Sequence, residues 1–327
     1  MQRPTAQTAD VRPPQYPLSG WVEAGLYVVA IAILSLTYVV GFQLGAHPIA
    51  FVLYAMLTSA VALLLVTGLG PNARAIALTP QSWTVGAGTI LMEIFYYLLL
   101  AHIAPAHGSL IVRLSIPLSM LAAFMIFRRR PANLAIAGAV IVAAGILPLV
   151  YLVTPQYRME VLLWGLLSAA AFNLRGFSAE FHPWNRAAKT IMDKLQVTGI
   201  IVLVTSLSGI ALALVGSLGV ALGLLAPTPL VPAFPDMVHL PTVLLGVLVG
   251  SVILTAMAYL GFSAVVKITT ENFAATSAFT PVATLLVQLV ASAIGLIPVY
   301  ALDMALVPAM AVVIGGVFLI LHAARRR

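Results

Sequence analysis

The residues with the most chemistry to offer stand where charge is least welcome. Glu93 lies in the middle of one apolar run and Arg113 in the first part of the next. Inside a bilayer such a group is costly unless it is paired, protonated or wetted, so an intramembrane acid or guanidinium points to ligand or proton coupling. If the two runs are antiparallel neighbours, Arg113 comes within roughly one helical turn of Glu93 in depth. It could then pair with that carboxylate, grip a substrate carboxylate in a bidentate fork, or snorkel to the surface.

Tyr96 and Tyr97 follow Glu93 by three and four residues, so at least one shares its helical face. With Tyr259 farther on, they could build an aromatic wall carrying a hydroxyl, or simply pack in a core. Trp164 and Asn173 share a later run, where the amide needs a partner. Arg175, near the end of that run, is expected to snorkel. Lys267 and Glu271 stand four apart and suggest a gate-like latch or a plain surface ion pair. His102 and His107 flank a turn and suit interfacial hydrogen bonds. Their spacing does not fit the helical zinc pair.

Composition says what must position these groups. Of 327 residues, 62% are apolar and only 8% are charged, where about 25% is ordinary for a soluble domain. Mean hydropathy is +1.09. So few charges cannot cover a soluble globule, which excludes a cytoplasmic enzyme, a disordered chain and a small secreted scaffold. There is no cysteine, hence no disulfide or thiolate chemistry. Walker, dinucleotide and HExxH patterns are missing. No cofactor, metal or nucleic-acid partner is expected.

A hydrocarbon core of about 30 Å needs about 20 helical residues. Ten segments fit that ruler: 22–42, 48–68, 83–103, 108–127, 132–152, 159–177, 195–217, 240–262, 270–293 and 302–322. Residues 195–235 could hold two spans. Pro227, Pro229, Pro232 and Pro235 favour one span and an irregular loop, since unpaired backbone is expensive in lipid. Charge agrees. Ten spans with an internal N-terminus put Arg3, Arg12, Arg74, Arg128, Arg129, Arg130, Arg186, Lys189, Lys194, Lys267, Arg325, Arg326 and Arg327 inside, and only Arg158 outside. That is a strong positive-inside bias. Ser178 to Lys194 suggests a short interfacial helix or a solvated loop.

The chain also resembles itself. Placing Pro117 on Pro281 aligns FYYLLLAHIAPAHGSLIVRLSIP with YLGFSAVVKITTENFAATSAFTP, and AAGI at 143–146 resembles IGGV at 314–317. Residues 20–152 and 153–322 then form two five-span halves, with 1–19 a cytoplasmic tail and 323–327 a basic cytoplasmic end. Five is odd, so the second half enters the membrane from the opposite side, an inverted repeat. Paired prolines at matched places suggest helices bent around a central cavity.

The stretches SIPLSML, AFTPVATLL, LLWGLLSAAAFNLRGF, AIAGAVIVAAGI and AMAVVIGGVFLI resemble the drug/metabolite transporter superfamily, in particular its EamA-like branch of ten-helix carriers, over residues 20–322. That resemblance implies cytoplasmic termini in a bacterial inner membrane and a central cavity lined by spans one to four and six to nine. It also implies export of small organic metabolites such as amino acids, by a monomer or a homodimer. The family's Gly–Glu pair after the fourth and ninth spans is replaced here by FRRRP and IPVYALD, where Asp303 partly stands in. The expected function is therefore secondary transport by alternating access, coupled to protons or not. An intramembrane lipid-modifying enzyme and a structural or receptor-like membrane protein are the alternatives.

Overall fold

The structure, a computed structural model, describes residues 17–299 and 304–325. Ten helices among the described residues are long and apolar enough to cross a membrane. They are α1 (Leu18–Gln43), α2 (Pro48–Thr67), α3 (Pro80–Leu100), α4 (Pro105–Met125), α5 (Asn133–Leu152), α6 (Pro155–Glu180), α7 (Ile191–Ala221), α8 (Leu240–Ile268), α9 (Thr270–Ala293) and α10 (Leu306–Ala323). The expectations placed on Arg3, Arg12, Asp303, Arg326 and Arg327 fall outside the described residues. Of the expected tail, Leu18 and Ser19 already belong to α1.

A helix meets lipid's demand that every backbone group be satisfied within its own segment. Prolines mark the starts. Pro48, Pro80 and Pro105 open α2, α3 and α4, where a missing N–H is harmless and a fixed φ is already helical. Residues 191–221 form one unbroken helix, so the proline-rich stretch after it is a loop and not an eleventh span. That loop is tied down by Ser217 Oγ donating to Pro232 O at 2.9 Å and Tyr54 Oη to Met237 O at 2.5 Å. Lys194 belongs to the first turn of α7 and is buried, with Nζ donating to Ser263 Oγ at 3.1 Å.

Two spans break at matched places. In α4, α-helix over Pro105–Ile111 gives way to a 3₁₀ turn, Val112–Leu114, and resumes at Ser115. In α9, Thr270–Thr276 is followed by the 3₁₀ turn Ser277–Phe279 and resumes at Thr280. The cause is Pro117 and Pro281. Each lacks the N–H for the carbonyl four residues back and crowds it, and the chain tightens to relieve the conflict. Those carbonyls belong to Arg113 and Ser277. A third irregularity is the π turn Gly250–Leu254 in α8, where Gly250 lies against the backbone of α2, leaving no room for a Cβ beside Ala55 O.

α3 packs on α6, α1 on α8, α2 on α7, and α5 on α10. In the last pair the contact is glycine on glycine. A Cβ on Gly138 would fall 2.4 Å from Gly316 O, and one on Gly316 would fall 2.6 Å from Gly138 O. Such small-residue crossings replace the hydrophobic drive that lipid removes. All ten helices contribute residues to one large buried core.

Candidate functional site

The core is not uniformly apolar. Glu93 on α3 and Arg113 on α4 are both buried to 1% exposure. They do not meet as an ion pair. Glu93 Oε2 accepts from Tyr38 Oη of α1 at 2.5 Å, and the cation whose field reaches it is Arg175 of α6. That length is at the short end for an O–H···O bond.

Arg175 therefore does not snorkel. Its Nη1 donates to Tyr27 Oη at 2.8 Å and its Nη2 to Met257 O at 3.3 Å. Two glycines carve its slot. A Cβ on Gly88 would lie 2.8 Å from Arg175 N, and one on Gly261 would lie 2.4 Å from Arg175 Nη2. Sequence reasoning placed Arg175 near a helix end and sent it outward. The glycines of α3 and α8 that face it were the available sign of the opposite.

Arg113 joins the two helix breaks. Its Nε donates to Ser109 O at 3.0 Å and its Nη1 to Ser277 O at 2.8 Å. The second acceptor is the carbonyl that Pro281 cannot bond, so the guanidinium supplies a donor where the helix lost one. Asn173 Nδ2 donates to Ser115 O at 3.0 Å, just past the α4 break. Asn173 Oδ1, Ser115 Oγ and Thr280 Oγ1 are buried and have no hydrogen-bond partner among the described residues.

Tyr96 and Tyr97 do gather beside Glu93. Tyr96 Oη shares a hydrogen bond with Ser35 Oγ at 2.7 Å. Tyr97 donates to Ala46 O at 3.2 Å and stacks on Tyr38 at 4.8 Å between ring centres. Phe42 and Phe51 complete this buried group, and the bare Gly41 makes room for the Tyr97 hydroxyl. Trp164 stands apart from it, stacked on Phe95 at 5.7 Å. Tyr259 is half-buried against the apolar core. Tyr38 and Tyr27 were not foreseen, because tyrosines in a first span read as ordinary packing.

The end of the bundle where α1 begins carries ion pairs. Lys267 and Glu271 do not bond each other; each finds a partner elsewhere. Lys267 Nζ donates to Glu23 Oε1 at 2.6 Å, and Arg129 Nη1 donates to both oxygens of Glu271 at 2.9 and 2.8 Å. Arg129 Nη2 also bonds Glu180 Oε1, while Glu180 Oε2 accepts from Thr270 N at 2.9 Å and Thr270 Oγ1 at 2.8 Å. One guanidinium in the α4–α5 turn thus holds the end of α6 to the start of α9. Burial opposes its charge, but the bonds from Glu180 and Glu271 outweigh that and hold its pKa above the usual arginine range. Beside Arg175, Phe172, Gly176, Gly261 and Phe273 line a crevice too narrow to hold a water molecule.

The opposite end is held differently. Ala106 N donates to Gln288 Oε1 at 3.2 Å, linking α4 to α9. His102 lies 3.0 Å from Glu160 and stacks on Tyr157.

No family model and no curated protein matches the chain. A solved structure described only as "Crystal structure of protein" is similar at 18% identity, over 96% of this chain and 100% of that one, with a TM-score of 0.59. At that identity the likeness concerns the fold alone.

Proposed function

We propose that the protein is a secondary transporter that moves small organic metabolites across a bacterial inner membrane by alternating access, as the EamA-like resemblance implies. The observation that carries this reading is a polar centre sealed inside ten apolar helices. Glu93, Tyr38, Arg113 and Arg175 form a costly arrangement that packing alone does not require, and the two broken helices meet at it.

The inverted-repeat organisation draws support from the packing. Exchanging each helix with the one five places on turns α3–α6 into α1–α8, α2–α8 into α3–α7, and α4–α6 into α1–α9. The pairs α2–α7, α4–α9 and α5–α10 map onto themselves. Both breaks recur at equivalent positions. Two such halves can rock about a shared centre, exposing it to either side in turn. Here the ion-paired end is shut, so opening there must break the bonds of Arg129.

The test is flux in proteoliposomes containing the full chain, with a panel of amino acids, organic acids, nucleosides and sugars, run with and without a pH gradient. Movement of at least one class, lost in Arg129→Glu with normal folding, supports the reading. No flux of any member in either direction overturns it. If Glu93 couples protons, Glu93→Gln abolishes the response to the gradient while leaving downhill flux.

A further inference from the structure

Arg113 is a buried cation with no counter-ion among the described residues. A guanidinium has five N–H donors, and here Nε and Nη1 each use one, both on neutral carbonyls. Nη2 donates to no described residue, and no carboxylate of the described residues lies within ion-pair distance. The titratable groups whose fields reach it are the hydroxyls of Tyr96 and Tyr27, neutral at physiological pH. Glu93 is bonded to Tyr38, and the cation whose field reaches it is Arg175 instead.

Charge in the polar centre does not balance. Two guanidiniums, Arg113 and Arg175, share at most one carboxylate, Glu93, whichever protonation state that acid holds. Removing one partner of a buried ion pair is strongly unfavourable because the remaining charge is uncompensated, and the same reasoning applies to a cation that never had a partner. No acid of the described residues supplies the missing negative charge.

We infer that the transported solute carries the missing charge: it is a small organic anion whose carboxylate binds Arg113 Nη2. This rests on the transport reading above and narrows it. An anion makes the centre more nearly neutral, a zwitterion leaves the excess unchanged, and a cation increases it.

The discriminating experiment uses the purified full chain with four probes of similar size: propionate, propionamide, propylammonium and alanine. Binding is measured by thermal shift in detergent, and flux in liposomes made of neutral lipid only, so that no anionic headgroup competes. Propionate should stabilise the protein and move at least ten times faster than its amide or amine, carrying net negative charge inward. Arg113→Gln should lose propionate binding at least tenfold, and Arg113→Lys should retain part of it. If Arg113→Gln folds poorly, Arg113→Lys, which keeps the charge but not the fork, carries the comparison and should weaken propionate binding several-fold. Binding of propionate without movement of any probe would spare the anion site and sink the transport reading. Movement of alanine or propylammonium in preference to propionate would spare transport and sink the anion site, as would propionate binding that Arg113→Gln leaves unchanged. Neither binding nor movement of any probe would overturn the anion site, and the wider panel then decides transport.

Discussion

The two ends of the helix bundle are closed by different chemistry. At the end where α1 begins, Arg129 bonds Glu180 and Glu271 while Lys267 bonds Glu23, drawing together α1, α6, α8, α9 and the α4–α5 turn. At the other end, among the described residues, α4 and α9 are joined by the hydrogen bond from Ala106 N to Gln288 Oε1, and His102 with Glu160 ties the α3–α4 turn to α6 near water. Neutral hydrogen bonds contribute about 1 kcal/mol each. Ionic networks with a buried member resist opening far more, because each broken bond strands a charge. The difference teaches that this conformation is locked on one side and merely latched on the other.

Four experiments break or sharpen that contrast, taken in order of expected effect. Arg129→Ala strands Glu180, which is 9% exposed, and should cost about 2–3 kcal/mol; this is less than for a fully buried pair because Arg129 itself is one-third exposed. Thermal unfolding in detergent checks the loss, and labelling of a cysteine at Ala179 should rise as this end loosens. Gly261→Ala pushes a methyl into the Arg175 guanidinium and should cost about 1–2 kcal/mol, read as a lower Tm together with reduced flux.

His182 tests the locked end by acid. It lies between α6 and α7, bonded to Ser82 at the start of α3, and burial pushes its imidazole down to about 4. The fold holds the neutral ring. Its contribution is therefore full above pH 6.5 and is lost as the pH falls toward 4. A Tm series from pH 7 to 5 should show a drop worth about 1 kcal/mol that shrinks in His182→Asn. The smallest effect is expected from Gln288→Ala at the latched end, about 0.5–1 kcal/mol by Tm. A cost as large as that of Arg129→Ala would erase the distinction between the ends.

The number of apolar spans and the single helix over 191–221 were legible in the sequence. They depend on apolar length and on where prolines fall, which are local properties. The ends of several spans were misplaced by three to six residues, as at Ile268, six beyond the expected end of α8. The polar centre was only half legible. Glu93 and Arg113 announce themselves because a charge in an apolar run is costly wherever the run packs. Their partners do not, because a hydrogen bond between Tyr38 and Glu93 depends on how α1 lies against α3, and no local pattern encodes that. Arg175 was misread for the same reason: a residue five from a helix end can turn outward or inward, and the choice lies with Gly88 and Gly261 on other helices. Lys267 and Glu271 were close in sequence, yet better partners waited across the bundle.

The crossing of Gly138 over Gly316 sets one more condition on the molecule. Where main chain rests on main chain, there is no side chain to swing aside or fill a gap, so α5 and α10 can tilt against each other at that spot but cannot slide without collision. It is a fulcrum joining the two halves of the polypeptide, and even one methyl group added at either residue would unseat it.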